Sequence, residues 1–236
     1  SGTRKGSKVV GVGIGQAYHS AGSNGFDGLV RILPTGKLHI HTGIGNLGTY
    51  SYASTSRVAA EVLGYDWENC VIERGDSRKN LPWNLGQFGS NTSFTMSRTN
   101  YVAAMDAKQK LLDIAAMDLG GSVEDYMLKR ERVVSKSDAS KTMSFAHAAQ
   151  RAIELGGKYS GQSIPEELNP MTKRSVAGIA GTGLIGVAKD QLKKEGVAPA
   201  LCAGFVRDFG VLRRVNGLDW GDLDSGSNPR PPCRYR

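Results

Sequence analysis

Glycines at positions 43, 45 and 48 are followed closely by Thr49, Ser51, Ser54, Thr55 and Ser56. Without a Cβ, glycine lets a backbone approach a ligand closely, and hydroxyls donate hydrogen bonds, so this mixture suits an anion. A second set, Gly89, Ser90, Thr92 and Ser93, has the same chemistry, with Gln87 just before it. A phosphate or pyrophosphate would find backbone N–H groups and hydroxyl donors at both places. Each glycine can equally form a plain turn, and each hydroxyl can cap a helix.

The elements that must position these residues are legible as patterns. Residues 37–42 alternate, Leu38, Ile40 and Thr42 against Lys37, His39 and His41, which predicts a strand. Residues 28–33 predict its hairpin partner, joined through a tight turn at Pro34 and Gly36. After the first glycine set, residues 57–63 predict a helix stopped by Gly64. A strand is expected at 67–74, closed by a turn at Gly75, Asp76 and Ser77, and then an irregular stretch at 78–89. The second hydroxyl set leads into a helix to about Leu119, with Val102, Met105, Leu112 and Ala116 along one stripe and Gly120 and Gly121 at its end. A short capped turn at 122–125, a brief strand at 132–134 and a helix at 145–155 follow. Thr142 or Ser144 would cap that helix, and Gly156 and Gly157 close it. Residues 164–170 read as extended linker, and 171–184 as a segment of small residues.

The fold class expected is therefore mixed α/β, with short mixed sheets carrying helices on at least one face. The domain division expected is a basic segment 1–7, a main domain 8–155, a linker with the start of a second, incomplete domain at 156–206, and an irregular tail at 207–236. The glycine-dotted run 9–18 contains a loose G-x-G-x-G. Loop residues, not a helix, follow it from His19, so it reads as a buried strand and not as a dinucleotide fingerprint.

Composition narrows the function classes. With 39% hydrophobic and 22% charged residues, the chain is an ordinary globular type. No apolar run is long enough to span a membrane. The basic start has no apolar core behind it and does not read as a signal peptide. The net charge of +8 is scattered along the chain instead of clustering with aromatics, which argues against nucleic acid and for a solvated surface with a polyanionic ligand or acidic partner. Cys70, Cys202 and Cys233 are odd in number and lack C-x-x-C spacing, so free thiols in a reducing, cytoplasmic setting are expected. His39 and His41 share a strand face, but no third ligand accompanies them. They are expected to face solvent, and no metal site is assigned.

The order of these motifs resembles the large, molybdenum-cofactor-binding subunit of the xanthine dehydrogenase and aldehyde oxidase family, including its carbon monoxide dehydrogenase-like and isoquinoline oxidoreductase-like branches. The resemblance rests on the hairpin at 28–43, the helix bearing Ala59, Ala60, Glu61 and Gly64, and the strand ending in Gly75, Asp76 and Ser77. It continues through Gly89 to Ser93 before a long alanine-bearing helix, and through the stretches 169–172 and 181–190. In all it covers residues 8–205.

That resemblance implies a molybdopterin, in some members extended as a cytosine dinucleotide. It implies water-dependent hydroxylation of an aldehyde or aromatic heterocycle, with electrons passed to iron–sulfur clusters and FAD on partner subunits. Gly43, Gly45, Gly48 and Thr49 would approach the pterin and its metal ligands, and Gly89, Ser90, Thr92 and Ser93 would hold its pyrophosphate. Two departures stand out. The family has Gly-Gln-Gly where this chain has Gly48, Thr49 and Tyr50. Threonine offers one donor where an amide offers two, and Gln87 is the candidate substitute. The family's catalytic glutamate lies beyond the point where this sequence turns into its arginine- and proline-rich tail, so the catalytic residue is unknown. The expectation is a truncated or frameshifted part of an oxidoreductase, active only when assembled with the missing parts and other subunits. The alternatives are a non-catalytic fragment or interaction module, and a basic polyanion-binding protein.

Overall fold

The computed structural model describes residues 3–10, mostly as backbone, together with 25–88 and 91–190. The readings of 11–18, His19, Gly89, Ser90, Cys202, Cys233 and the 207–236 tail lie outside the described residues. Strands β1 (Thr3–Lys5) and β2 (Lys8–Val10) form a small antiparallel ribbon.

The expected hairpin is present as β3 (Asp27–Ile32) and β4 (Leu38–His41), antiparallel, with Leu29 opposite His41 and Ile32 opposite Leu38. Its turn closes with the Gly36 N–H donating to the Leu33 carbonyl at 2.8 Å, and Gly36 adopts φ 86°. Only glycine takes that conformation without strain. From β4 the chain crosses through α1 (Ser51–Leu63) to β5 (Cys70–Glu73), which runs parallel to β4. Helix α1 starts at Ser51, well before the expected Arg57. The strand expected from residue 67 begins at Cys70, because Trp67–Asn69 is a 3-10 turn.

The long helix is α2 (Thr92–Leu119). Its buried face runs through Ala103, Ala107, Leu111 and Ile114, and Met105 of the expected stripe is exposed. A three-stranded antiparallel sheet follows, β6 (Tyr126–Lys129), β7 (Arg132–Ser135) and β8 (Thr142–Ser144), of which the sequence pattern predicts only β7. Helix α3 (Phe145–Leu155) starts at Ser144, whose Oγ accepts from the His147 N–H at 3.2 Å. The segment expected as small residues is α4 (Pro170–Ile179) and the approach to β9 (Leu184–Lys189). Asn169 caps α4, its Oδ1 accepting from the Met171 N–H at 2.9 Å. Strand β9 pairs antiparallel with β3 over its whole length, so the main sheet has the order β5-β4-β3-β9. The architecture is mixed α/β, and residues on both sides of position 155 share one sheet.

Alternation sorts the two faces of that sheet. Val30, Ile32, Leu38 and Ile40 are buried with α1 and α2, while Leu29, Ile185 and Val187 are buried with Val176 and Ile179 of α4. Helix α2 lies unusually close to the sheet. A Cβ on Gly28 would sit 2.3 Å from the Thr99 carbonyl oxygen, and one on Gly186 would sit 2.4 Å from that of Ala103. Ala103, Ala104 and Ala107 are fully buried at this contact. Small residues on both elements bring helix and sheet together, and the helix start is carried with them.

Candidate functional site

The first glycine set forms the loop between β4 and α1. Ile44 is buried, while Gly43, Gly45, Gly48 and Thr49 are exposed. Gly43 is needed for packing, because a Cβ there would lie 2.7 Å from the Pro82 carbonyl oxygen. Its N–H donates to Asn84 Oδ1 at 2.6 Å. Gly48 has φ 88° with open space around its Cα, so it serves the turn. Asn46 organises that turn from within, its Oδ1 accepting from the N–H groups of Gly48 (3.0 Å) and Tyr50 (3.2 Å). Tyr50, at φ 51°, then starts α1 without a side-chain cap.

Two of the hydroxyls of α1 turn back on their own helix. Thr55 Oγ1 donates to the Ser51 carbonyl at 2.7 Å and Ser54 Oγ to the same oxygen at 3.2 Å. Thr49 Oγ1 donates to Ser51 Oγ at 3.2 Å. Gln87, expected only near the second set, reaches the first. Its Oε1 accepts from the Leu47 N–H at 3.2 Å, and its Nε2 donates to Ser51 Oγ.

Thr92 and Ser93 occupy the first turn of α2, half-buried and exposed respectively. First-turn N–H groups have no intrahelical acceptor. Asn91, at the N-cap position, makes no side-chain cap bond, and its Oδ1 is buried without a partner, as is Thr95 Oγ1. The two sets are drawn together by a small apolar cluster of Phe26, Ile44 and Met96, flanked by Tyr52, Trp83 and Leu85. Phe26 and Trp83 meet edge to face at 5.9 Å.

Helices α1 and α2 also run side by side in the same direction. Asn100 Nδ2 donates to the Thr55 carbonyl at 2.9 Å near their starts. About two turns later, Lys108 and Leu112 line the same cavity as Glu61 and Val62. Both positive dipole ends therefore lie at one end of the pair. Arg74 stacks on Tyr52 in the first turn of α1 at 3.7 Å and adds a cation there. An exposed glycine loop, two aligned helix starts and the unpartnered Thr95 hydroxyl at one of them are chemically suited to a phosphate-bearing ligand. The pterin-phosphate expected from the motifs fits this donor set.

Asn46 and Asn84, which bond the loop's amides, escape a reading of the sequence. Both lie in Asn/Gly-rich stretches with no periodic signal. The expectation for His39 and His41 is corrected. His41 is 3% exposed, and its Nδ1 bonds the Asn80 carbonyl at 2.8 Å. Burial, with the Arg31 guanidinium second, pushes its pKa down to about 4. His39 bonds Glu73 at 2.9 Å, and burial holds its pKa below the usual value. Glu73 also pairs with Lys79. Burial would raise the Glu73 pKa, but the bonds from Lys79 and His39 outweigh it and keep it low. Among the described residues no cluster of His, Cys, Asp and Glu could hold a metal ion, and no helix is long and apolar enough to cross a membrane. Asp76 shapes its turn, Oδ1 accepting from the Arg78 N–H at 2.9 Å.

Known proteins are similar to this chain in sequence and in fold. The nicotine 6-hydroxylase large subunit of Paenarthrobacter nicotinovorans is 30% identical over 139 residues, covering 53% of this chain and 17% of that protein. The carbon monoxide dehydrogenase large chain of Afipia carboxidovorans is 28% identical over 139 residues, covering 58% of this chain and 17% of that one. The chain thus matches only a small part of each relative's length. The solved structure of reconstituted CO dehydrogenase from Oligotropha carboxidovorans superposes with a TM-score of 0.51 at 24% identity, over 70% of this chain and 18% of that chain, and shares the fold. The model of the molybdopterin cofactor-binding domain matches residues 1–183. The chain belongs to the molybdopterin cofactor-binding domain family.

Proposed function

We propose that this chain is part of a molybdenum hydroxylase and helps hold molybdopterin between the 43–49 loop and the start of α2. The observation that carries this reading is the parallel placement of the α1 and α2 starts beside an exposed glycine loop, with the Thr95 hydroxyl, which can donate, buried and unpartnered at the α2 start. The N–H groups and hydroxyls of Thr92 and Ser93 would donate to the cofactor's phosphate, with Gly89 and Ser90, their neighbours in sequence, as further candidates, and Gly45, Gly48 and Thr49 would border the pterin. When bound, the cofactor supplies the redox-active metal for water-dependent hydroxylation of an aldehyde or aromatic heterocycle. Iron–sulfur clusters and FAD belong to partner subunits in this reading, the general base comes from outside this chain, and the assembly is cytoplasmic.

One observation favours a second reading, a cofactor-holding or interaction module without activity. The Thr49 hydroxyl, which stands where the family's amide does, donates to Ser51 Oγ and so is not free as the loop's donor.

The test is pterin and molybdenum content of the chain purified with its partner subunits. The proposal expects both to be retained, and retention to fall about tenfold in Thr92→Val/Ser93→Ala, the loss expected for about 1.4 kcal/mol of hydrogen bonding. Absence of pterin from the assembled wild type overturns it. Retained pterin without turnover of any aldehyde or heterocycle selects the second reading.

A further inference from the structure

The segment between β5 and α2 carries no regular secondary structure among its described residues, yet two of its amide side chains govern the glycine loop. Asn84 Oδ1 accepts from the Gly43 N–H at 2.6 Å, while its Nδ2 donates to the carbonyls of Asp27 (3.0 Å) and Trp83 (2.9 Å). Gln87 Oε1 accepts from the Leu47 N–H at 3.2 Å, and its Nε2 donates to Ser51 Oγ. Among the described residues, these are the hydrogen bonds that tie 43–51 to anything beyond its own ends. The other bonds of 43–51 are local: through Asn46 and Thr49 within it, to Thr42 Oγ1 just before it, and from Ala53, Ser54 and Thr55 just after it.

We propose that Gln87 is a positioning residue for the ligand-facing loop, acting through Leu47 and Ser51. Its amide spans the loop from the middle to the first residue of α1. It thereby fixes how far Gly45 to Thr49 stand from the start of α2. Asn84 anchors the β4 end of the loop, and Gln87 anchors the rest. One amide joins two points that the loop's glycines would otherwise leave free to move relative to each other. What the positioned loop serves rests on the cofactor reading above; the bridge itself does not.

The test compares Gln87→Met and Gln87→Glu in the full chain, by amide hydrogen exchange across 43–53 and by pterin retention in the assembled complex. Methionine keeps the length and volume but makes neither bond. Glutamate still accepts from the Leu47 N–H, and the Ser51 hydroxyl can turn to donate to it. The expected result is exchange at Leu47 about tenfold faster in Gln87→Met and near wild type in Gln87→Glu, with the amides of 103–115 unchanged in both. Ser51→Ala, which removes one end of the bridge, is expected to accelerate Leu47 about threefold and serves if Gln87→Met does not fold. Wild-type exchange in Gln87→Met or in Ser51→Ala overturns the bridge. Fast exchange with undiminished pterin retention overturns the positioning role. If the wild-type assembly itself holds no pterin, the cofactor reading fails, and the exchange measurements still decide the bridge.

Discussion

His41 Nδ1 donates to the backbone carbonyl of Asn80 at 2.8 Å, joining the central strand β4 to the irregular segment that carries Asn84 and Gln87. A carbonyl only accepts, so the proton sits on Nδ1 and the ring's lone pair on Nε2, which is buried without a partner. The ring is held neutral by burial first and by Arg31 second, with a pKa of about 4.

The burial of that ring makes the fold acid-sensitive, and the bond to Asn80 only partly offsets it. As the pH falls below the ordinary histidine value of 6.5, the unfolded chain binds a proton that the folded ring refuses. The stability His41 contributes is therefore complete above about pH 6.5 and is lost progressively toward pH 4, about 3 kcal/mol in all. His39 and Glu73, whose pKa values are also lowered in the fold, act in the same direction. His41→Asn keeps an N–H donor for Asn80 and does not titrate. Urea midpoints measured from about pH 7 to about pH 4.5 should fall steeply for wild type and much less for the variant.

Gly186→Ala drives a methyl group to 2.4 Å from the Ala103 carbonyl oxygen and 2.6 Å from the Ala107 Cβ, both on α2. Helix and strand must separate, at a cost of about 3 kcal/mol. Gly48→Ala meets nothing within 4 Å, so only its φ of 88° resists the change, at about 1 kcal/mol. Denaturant unfolding of the two variants should show this ranking.

Asn84→Asp should destabilise more than Asn84→Ala. The carboxylate still accepts from Gly43, but it faces the carbonyls of Asp27 and Trp83 with no N–H to offer. Alanine leaves a donor and two acceptors unpaired, at about 2 kcal/mol, and aspartate adds repulsion to that. The excess should shrink at low pH, where a protonated carboxyl donates again. Thermal midpoints of both variants at about pH 7 and about pH 4.5 check this.

The Cys70 thiol is raised to about 12 by burial, with the Glu131 and Asp66 carboxylates adding to it. Thiolate is the reactive form, so the Cys70 peptide should remain unalkylated by iodoacetamide at about pH 8 in the native chain and react fully in urea. Mass spectrometry of that peptide decides the point.

The hairpin, the long helix and the capped helix α3 are legible in the sequence because each has a local signature. Pro34 and Gly36 mark the turn, paired glycines end α2 and α3, and Ser144 caps α3. The first two turns of α1 are not. Ser51, Ser54, Thr55 and Ser56 are weak helix formers, and two of them secure the helix by bonding back to the Ser51 carbonyl, which only the folded geometry reveals. Strand β9 escapes for a different reason. It is buried between α2 and α4, so it lacks alternation, and its glycine, which looks like a strand breaker, is required by the approach of Ala103. At the site, the two glycine and hydroxyl sets are visible as composition. The bonds that shape them come from Asn46, Asn84 and Gln87, whose roles depend on tertiary placement.

The pairing of β9 with β3 has a kinetic consequence. The partner of β3 is made only after the four described helices and the strands β4 to β8 have followed it. Until then, Leu29 and the backbone edge of β3 lack their cover, and α2 has no Gly186 to settle against. Closing the sheet is thus a late, long-range event, of the sort that slows folding and leaves an unpaired strand edge available to other chains.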